Sequence, residues 1–210
     1  MDNDEINGKR KSYIQIGEVY FWTATINNWN HLLKEDKYKE VIIQSLRTLS
    51  ERGLMDIFAL VIMPNHIHLI FRTNALNGKE TAQASLLKFT GHEFKKMLKD
   101  SPAELVKYEV DANNKKYEFW QRDSLAVHLY TRNVMLQKLN YIHLNPLAPH
   151  WNLVNDPAEY NYSSAKYYER NERNFDFFKG FNCRILNSVS MEFVRTRTMA
   201  TALVWFVRTP

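Results

Sequence analysis

Two histidines, His66 and His68, stand one residue apart in the apolar run VIMPNHIHLIFR, Val61 to Arg72. In an extended strand residues i and i+2 share a face, so both imidazoles project together while Ile67 points the other way. Two neighbouring imidazoles repel when both are protonated, and each needs a partner if buried. A divalent metal meets both demands by taking one neutral ring nitrogen from each. With seven histidines in the chain, such a pair arises by chance in about one case in five, so its surroundings must decide.

A second stretch, TRNVMLQKLNYIHLN, has helical periodicity. Met135, Leu139 and Ile142 fall at i, i+4 and i+7 and form a core face. Beside them run Val134, Lys138, Tyr141 and Asn145, with Tyr141 and Asn145 one turn apart. A phenol, an amide and an ammonium beside two histidines suit phosphoryl transfer. Tyr141 would be the nucleophile, the Asn145 side-chain oxygen a third metal ligand, and Lys138 a charge partner for phosphate. The bland alternative is that Tyr141 packs on the sheet edge and Asn145 merely ends the helix. The pattern alone leaves both open.

The elements that must position these groups follow from periodicity. VYFWTATI (19–26) predicts a strand, and KYKEVIIQSLRTLSERG a helix with Val41, Ile42, Leu46 and Leu49 on its inner face. MDIFALVIM and HIHLIFR predict adjacent antiparallel strands joined at Pro64-Asn65. Between Gly78 and Asp100 a helix is expected, with Leu87, Phe94 and Leu98 inward and a basic stripe of Lys88, His92, Lys95 and Lys99 outward. SPAELVKYEV begins with a Ser N-cap and a proline suited to the first turn. KYEFWQRD predicts a further strand. The tyrosine-bearing helix should start at Thr131 and stop before Pro146, because the residue preceding a proline disfavours helical angles. This order predicts an α/β sandwich on a largely antiparallel sheet.

The 210 residues suit one domain, expected over 16–178, with a disordered lead at 1–15 and an extension at 179–210. A single cysteine, Cys183, excludes a disulfide framework and suits a reducing cytoplasm. The N-terminal MDNDEINGKRKS is too polar for a signal peptide. The apolar run MATALVWFV is too short to span a bilayer, so no membrane is expected. A net charge of +5 with 13% aromatic residues suits a polyanion whose bases can stack.

VIMPNHIHLIF, FWQRD, QKLNYIHLNP and YNYSSAKYY, in this order from about Val19 to Tyr168, resemble the REP-associated tyrosine transposases, a group of the single-tyrosine HUH nuclease and transposase family. The resemblance implies an α+β, ferredoxin-like sandwich with a central antiparallel sheet. It implies His66 and His68 as metal ligands, Asn145 as the polar residue completing the site, and Tyr141 as the nucleophile. The implied metal is Mg²⁺ or Mn²⁺, and the implied substrate is single-stranded or hairpin DNA, cleaved through a 5′-phosphotyrosine. The sequence departs from the family at Gln121, where an acidic residue is common, and in the tail after about Phe178.

No phosphate-binding glycine loop is present, so no nucleotide cofactor is expected. Lys88, Lys95 and Lys99 are candidate backbone contacts, with Lys115, Lys116 and Arg122 extending the positive surface, although such runs are commonly solvated faces. Trp120 and Arg122 are candidates to stack on or pair with bases. Tyr38, Tyr130, Tyr160, Tyr162, Tyr167 and Tyr168 lack the polar arrangement of Tyr141 and are expected to pack or stack. His143 lies on another helix face and is expected to be structural or to touch phosphate. A monomer is expected. The competing functions are a catalytically silent DNA binder of the same fold and a metal hydrolase that uses water.

Overall fold

A computed structural model describes residues 14–113, 115–122 and 124–181. Residues 1–13 and 182–210, which hold most of the expected disordered lead, the C-terminal extension and Cys183, lie outside the described residues.

Four strands form one sheet in the order β2-β3-β1-β4: β1 Val19–Thr25, β2 Met55–Ile62, β3 His66–Thr73 and β4 Leu125–His128. Every neighbouring pair is antiparallel. Helix α1 (Asp36–Glu51) joins β1 to β2, and α2 (Ala82–Met97) and the short α3 (Pro102–Leu105) lie between β3 and β4. This βαββαβ order is the ferredoxin-like arrangement that was expected. Helix α4 (Arg132–Leu144) and the short α5 (Ala165–Arg170) follow it.

Alternation assigns the two faces of the sheet. Trp22 and Ala24 of β1 and Ile67, Leu69 and Phe71 of β3 join one buried cluster with Ile42 and Leu46 of α1 and Leu86 and Phe94 of α2. The other residues of these strands, including Phe21, Thr23, His66 and His68, face the opposite way. That second face receives α4, whose Met135, Leu139 and Ile142 are buried as their spacing predicts. β3 is buried on both faces, which is why its centre, Leu69-Ile70-Phe71, is apolar without alternation.

β2 lies at the edge of the sheet, and the segment YNYSSAKYY covers it. Tyr160 Oη donates to Ile62 O at 2.8 Å and Tyr168 Oη to Phe58 O at 2.6 Å. Ser164 Oγ accepts from Leu60 N at 3.1 Å, and Ser163 bridges Val61. Covering an edge strand in this way satisfies its backbone and blocks pairing with another chain. Among the described residues no helix is long and apolar enough to cross a membrane.

Two local expectations are corrected. The described residues of KYEFWQRD form no strand: Tyr117 and Trp120 make only isolated bridges, to Glu109 and Ile26, and the fourth strand is LAVH further on. Helix α2 turns Leu86, Thr90 and Phe94 inward, leaving Leu87 half-buried at the margin. Helix α4 ends before Pro146 as expected, although Asn145 itself keeps helical angles (φ −55°, ψ −43°) and a 3₁₀ turn over Asn145–Leu147 continues the chain. The Thr131 cap forms as expected, accepting from Val134 N at 3.3 Å.

Candidate functional site

The pleat of β3 sets His66 and His68 on one face, with ring centroids 4.6 Å apart. Both are nearly buried, at 7% and 4% exposed. The hairpin turn just before them, closed by Met63 N donating to His66 O at 2.8 Å, presents Asn65. Its Nδ2 donates to Trp29 O at 3.3 Å, which turns Oδ1 toward His66 Nδ1 at 2.7 Å. An amide oxygen only accepts, so His66 carries its proton on Nδ1 and keeps a lone pair on Nε2.

His68 is fixed by register. Thr23 of β1 lies opposite it, and the Thr23 hydroxyl meets His68 Nδ1 at 2.7 Å. Among the described residues, His68 Nε2 is buried with no hydrogen-bond partner. An orphaned buried nitrogen is costly unless something binds it.

Burial holds His66 well below an ordinary imidazole, at about 4, and the nearby His150 adds to this. Burial, then His66 and Lys138, push His68 well below an ordinary imidazole too. Both rings are therefore neutral near pH 7, the state in which imidazole binds a cation. Among the described residues no group of three His, Cys, Asp or Glu side chains gathers as a metal site. A third protein donor would have to be of another kind, such as an amide.

Helix α4 brings Tyr141 to this pair. The Tyr141 ring lies 5.1 Å from His68 and 5.9 Å from Phe21, centroid to centroid. It remains 49% exposed, so it is open to solvent. Partial burial raises its pKa, and a hydrogen bond from Asn145 offsets part of that rise. Asn145 itself is buried. Lys138, one turn before, places Nζ 4.8 Å from the Phe21 ring centroid and 5.7 Å from that of Tyr141. Burial lowers its pKa below the usual lysine value.

His66, His68, Tyr141, Asn145 and Lys138 thus converge on one face. The remaining sequence candidates do not join them. Lys88 and Lys95 lie on α2, which covers the opposite face of the sheet, and Lys99 lies in the turn just past its end. Lys88 pairs with Glu80 at 2.6 Å, and Lys95 lies over the Tyr117 ring at 5.3 Å. Arg122 is exposed and pairs with Glu118 at 3.1 Å. Trp120 is a core residue, 6% exposed, whose Nε1 donates to Thr90 Oγ1 at 2.9 Å. Its indole faces are packed and cannot accept a base without unpacking that core. His143 is buried and bonds Ser164 Oγ at 3.0 Å, a structural tie to the segment covering β2.

Sequence reasoning missed Phe21, Thr23 and Asn65. Phe21, stacked 5.3 Å from His68, and Thr23 become visible only through strand register. Asn65 had a signal in its place beside His66 in the MPNH turn.

Sheet order, helix placement and the His-x-His strand define a ferredoxin-like α+β domain with a tyrosine helix laid across its open face. No protein-family model and no curated protein matches the chain. Among solved structures it shares its fold with a REP-associated tyrosine transposase bound to a REP hairpin. That likeness has 17% identity and a TM-score of 0.53, covering 80% of this chain and 90% of the other. A provisionally assigned transposase of Deinococcus radiodurans R1 is similar at 14% identity with a TM-score of 0.38, covering 64% of this chain and 93% of that one.

Proposed function

We propose that this chain is a metal-dependent nickase and strand transferase for single-stranded DNA beside a hairpin, acting as a cytoplasmic monomer with Tyr141 as its nucleophile. The observation that supports this most is the convergence of Tyr141 and Lys138 on two neutral histidines, one with an orphaned buried nitrogen. The solved relative of the same fold, described as bound to a REP hairpin, supports DNA as the substrate class.

The donor set fits a divalent cation. Both histidines are held with their Nδ1 atoms occupied, His66 by Asn65 and His68 by Thr23, leaving Nε2 of each to bind. His66, His68 and Asn145 would hold Mg²⁺ or Mn²⁺. Such an ion supplies orientation of the scissile phosphate and neutralisation of charge on it.

Tyr141 Oη attacks phosphorus as its proton leaves to solvent. A phosphorus–oxygen bond to Tyr141 forms, the bond to the 3′ oxygen breaks, and that oxygen takes a proton to become a 3′-OH. One phosphodiester replaces another, so no nucleotide is consumed and a second 3′-OH can reverse the step. A tyrosine ordinarily titrates near 10 and here is raised further, so its attack needs charge compensation. Lys138 provides a cation near the developing phenolate, and Asn145 hydrogen-bonds the phenol.

Covalent capture tests the reading. Labelled hairpin oligonucleotides with Mg²⁺ or Mn²⁺ should give a protein–DNA band that survives SDS. It should vanish in Tyr141→Phe and in His66→Ala. Cleavage that persists in Tyr141→Phe would make water the nucleophile, and binding without any covalent band would leave a silent DNA binder.

A further inference from the structure

Trp151 stands at the side of the histidine pair opposite Tyr141. Consecutive rings Tyr141, His68, His66 and Trp151 are separated by 5.1, 4.6 and 5.9 Å. Trp151 also neighbours His31 at 5.6 Å and His150 at 5.3 Å. All three imidazoles are inclined to it by 48° or 49°, so none of them lies flat against the indole. Trp151 is half-buried, and His31 and His150 are exposed. It is absent from the apolar core cluster that takes up Trp22 and Trp120.

The backbone around this group is strained. Trp151 N and Asn152 N both donate to Ala148 O at 2.8 Å, and Asn152 takes a φ of +43°. Asn28 and Trp29 take φ of +53° and +55°, a rare conformation for a tryptophan. Three of the four non-glycine positive-φ residues among those described therefore lie in two turns. Both turns end on His66: one through Trp29 O and Asn65, the other through the Trp151 ring. Trp29 is 59% exposed, so its strain wins no burial. Strain of this kind persists where the structure over-determines it, and it gathers at binding sites.

An accessible indole ringed by imidazoles suits a flat group with polar edges and an adjoining anion. We propose that Trp151, with His31 and His150, is the stacking subsite for one unpaired DNA base, that of the nucleotide next to the phosphate held at His66 and His68. The proposal rests on the reading of that pair as a strand-cleaving site. The indole takes the base face, and the exposed imidazoles address its edge or the flanking phosphate. A base seated there sets which phosphate lies before Tyr141, so Trp151 fixes the cleavage position.

An abasic scan tests this. Fluorescein-labelled hairpin oligonucleotides, each with one flanking nucleotide made abasic, are titrated by anisotropy against the full chain carrying Tyr141→Phe, with and without Trp151→Ala or Trp151→Phe. One abasic position should weaken binding by roughly tenfold, the scale of one stacked base. Trp151→Ala should weaken binding of the intact strand by about the same factor and abolish the penalty at that position. Trp151→Phe should restore most of the affinity. The subsite is refuted if no single position carries a penalty, or if the penalty persists in full in a folded Trp151→Ala chain. Covalent capture with the Tyr141-intact chain separates the two proposals: a missing band with the stacking pattern kept sinks only the cleavage chemistry. Failure to bind any oligonucleotide overturns both.

Discussion

Asn65 offers the sharpest perturbation, because one side chain orients a histidine of the proposed metal site and ties down a strained turn. Asn65→Leu removes the acceptor from His66 Nδ1 and the donor from Trp29 O. His66 is 7% exposed, so its Nδ1–H is left without water or partner, which costs about 1–3 kcal/mol of stability. The freed imidazole can then place its proton on Nε2, the nitrogen that must stay bare. Loss of such an orienting partner weakens metal binding by roughly 10- to 100-fold. Asn65→Asp keeps the acceptor but gives up the bond to Trp29 O. Its negative charge favours protonated His66, so proton competition should begin above the wild-type value of about 4. At pH 7 the Asp variant should bind Mn²⁺ close to wild type while the Leu variant falls behind. Free Mn²⁺ is read by electron paramagnetic resonance during titration, with a urea melt on each sample. A folded Leu variant with wild-type Mn²⁺ affinity would refute the reasoning.

Acid should weaken the fold through its buried histidines: burial holds His66 at about 4 and His143 at about 3, against about 6.5 unfolded. A depressed histidine contributes stability above the unfolded value and loses it as pH falls, so urea midpoints should drop from about pH 6.5 toward 3, less steeply in His143→Phe. Trp120→Ala should cost about 3–5 kcal/mol by emptying core volume, with DNA affinity of the folded chain unchanged; a stable variant that loses DNA would restore its stacking role. Lys138→Gln should slow formation of the covalent complex by roughly tenfold or more, and an unchanged single-turnover rate would remove Lys138 from the site. Gly180→Ala should destabilise by about 1–3 kcal/mol, because φ is +59° and the new Cβ would sit 2.7 Å from Tyr167 Oη; thermal melting checks this.

Local physics was legible in the residues. The two-residue pleat put His66 and His68 on one face, the helical pitch aligned Lys138, Tyr141 and Asn145, and Thr131 announced its cap. Composition misled at KYEFWQRD, where the aromatic residues Tyr117, Phe119 and Trp120 suggested a strand. The free edge of β1 pairs instead with the short LAVH, and Trp120 turns inward to Thr90. The basic stripe of α2 was likewise real as a pattern but lies across the sheet from the histidines. Neither outcome is encoded locally, since each depends on which surfaces remain to be covered once the sheet has formed.

From the sequence alone came the chemical inventory and its local spacing: two imidazoles side by side, and a phenol one turn from an amide. Only the tertiary structure decided that these meet. Antiparallel pairing of β1 with β3 sets Thr23 against His68, and the apolar stripe of α4 docks on the face opposite α1 and α2. The Asn27–Trp29 turn lends its carbonyl to Asn65, and Trp151 arrives beside His66 from far along the chain. Spacing within one element follows from backbone geometry, whereas distances between elements follow from the packing of buried surfaces far apart in sequence.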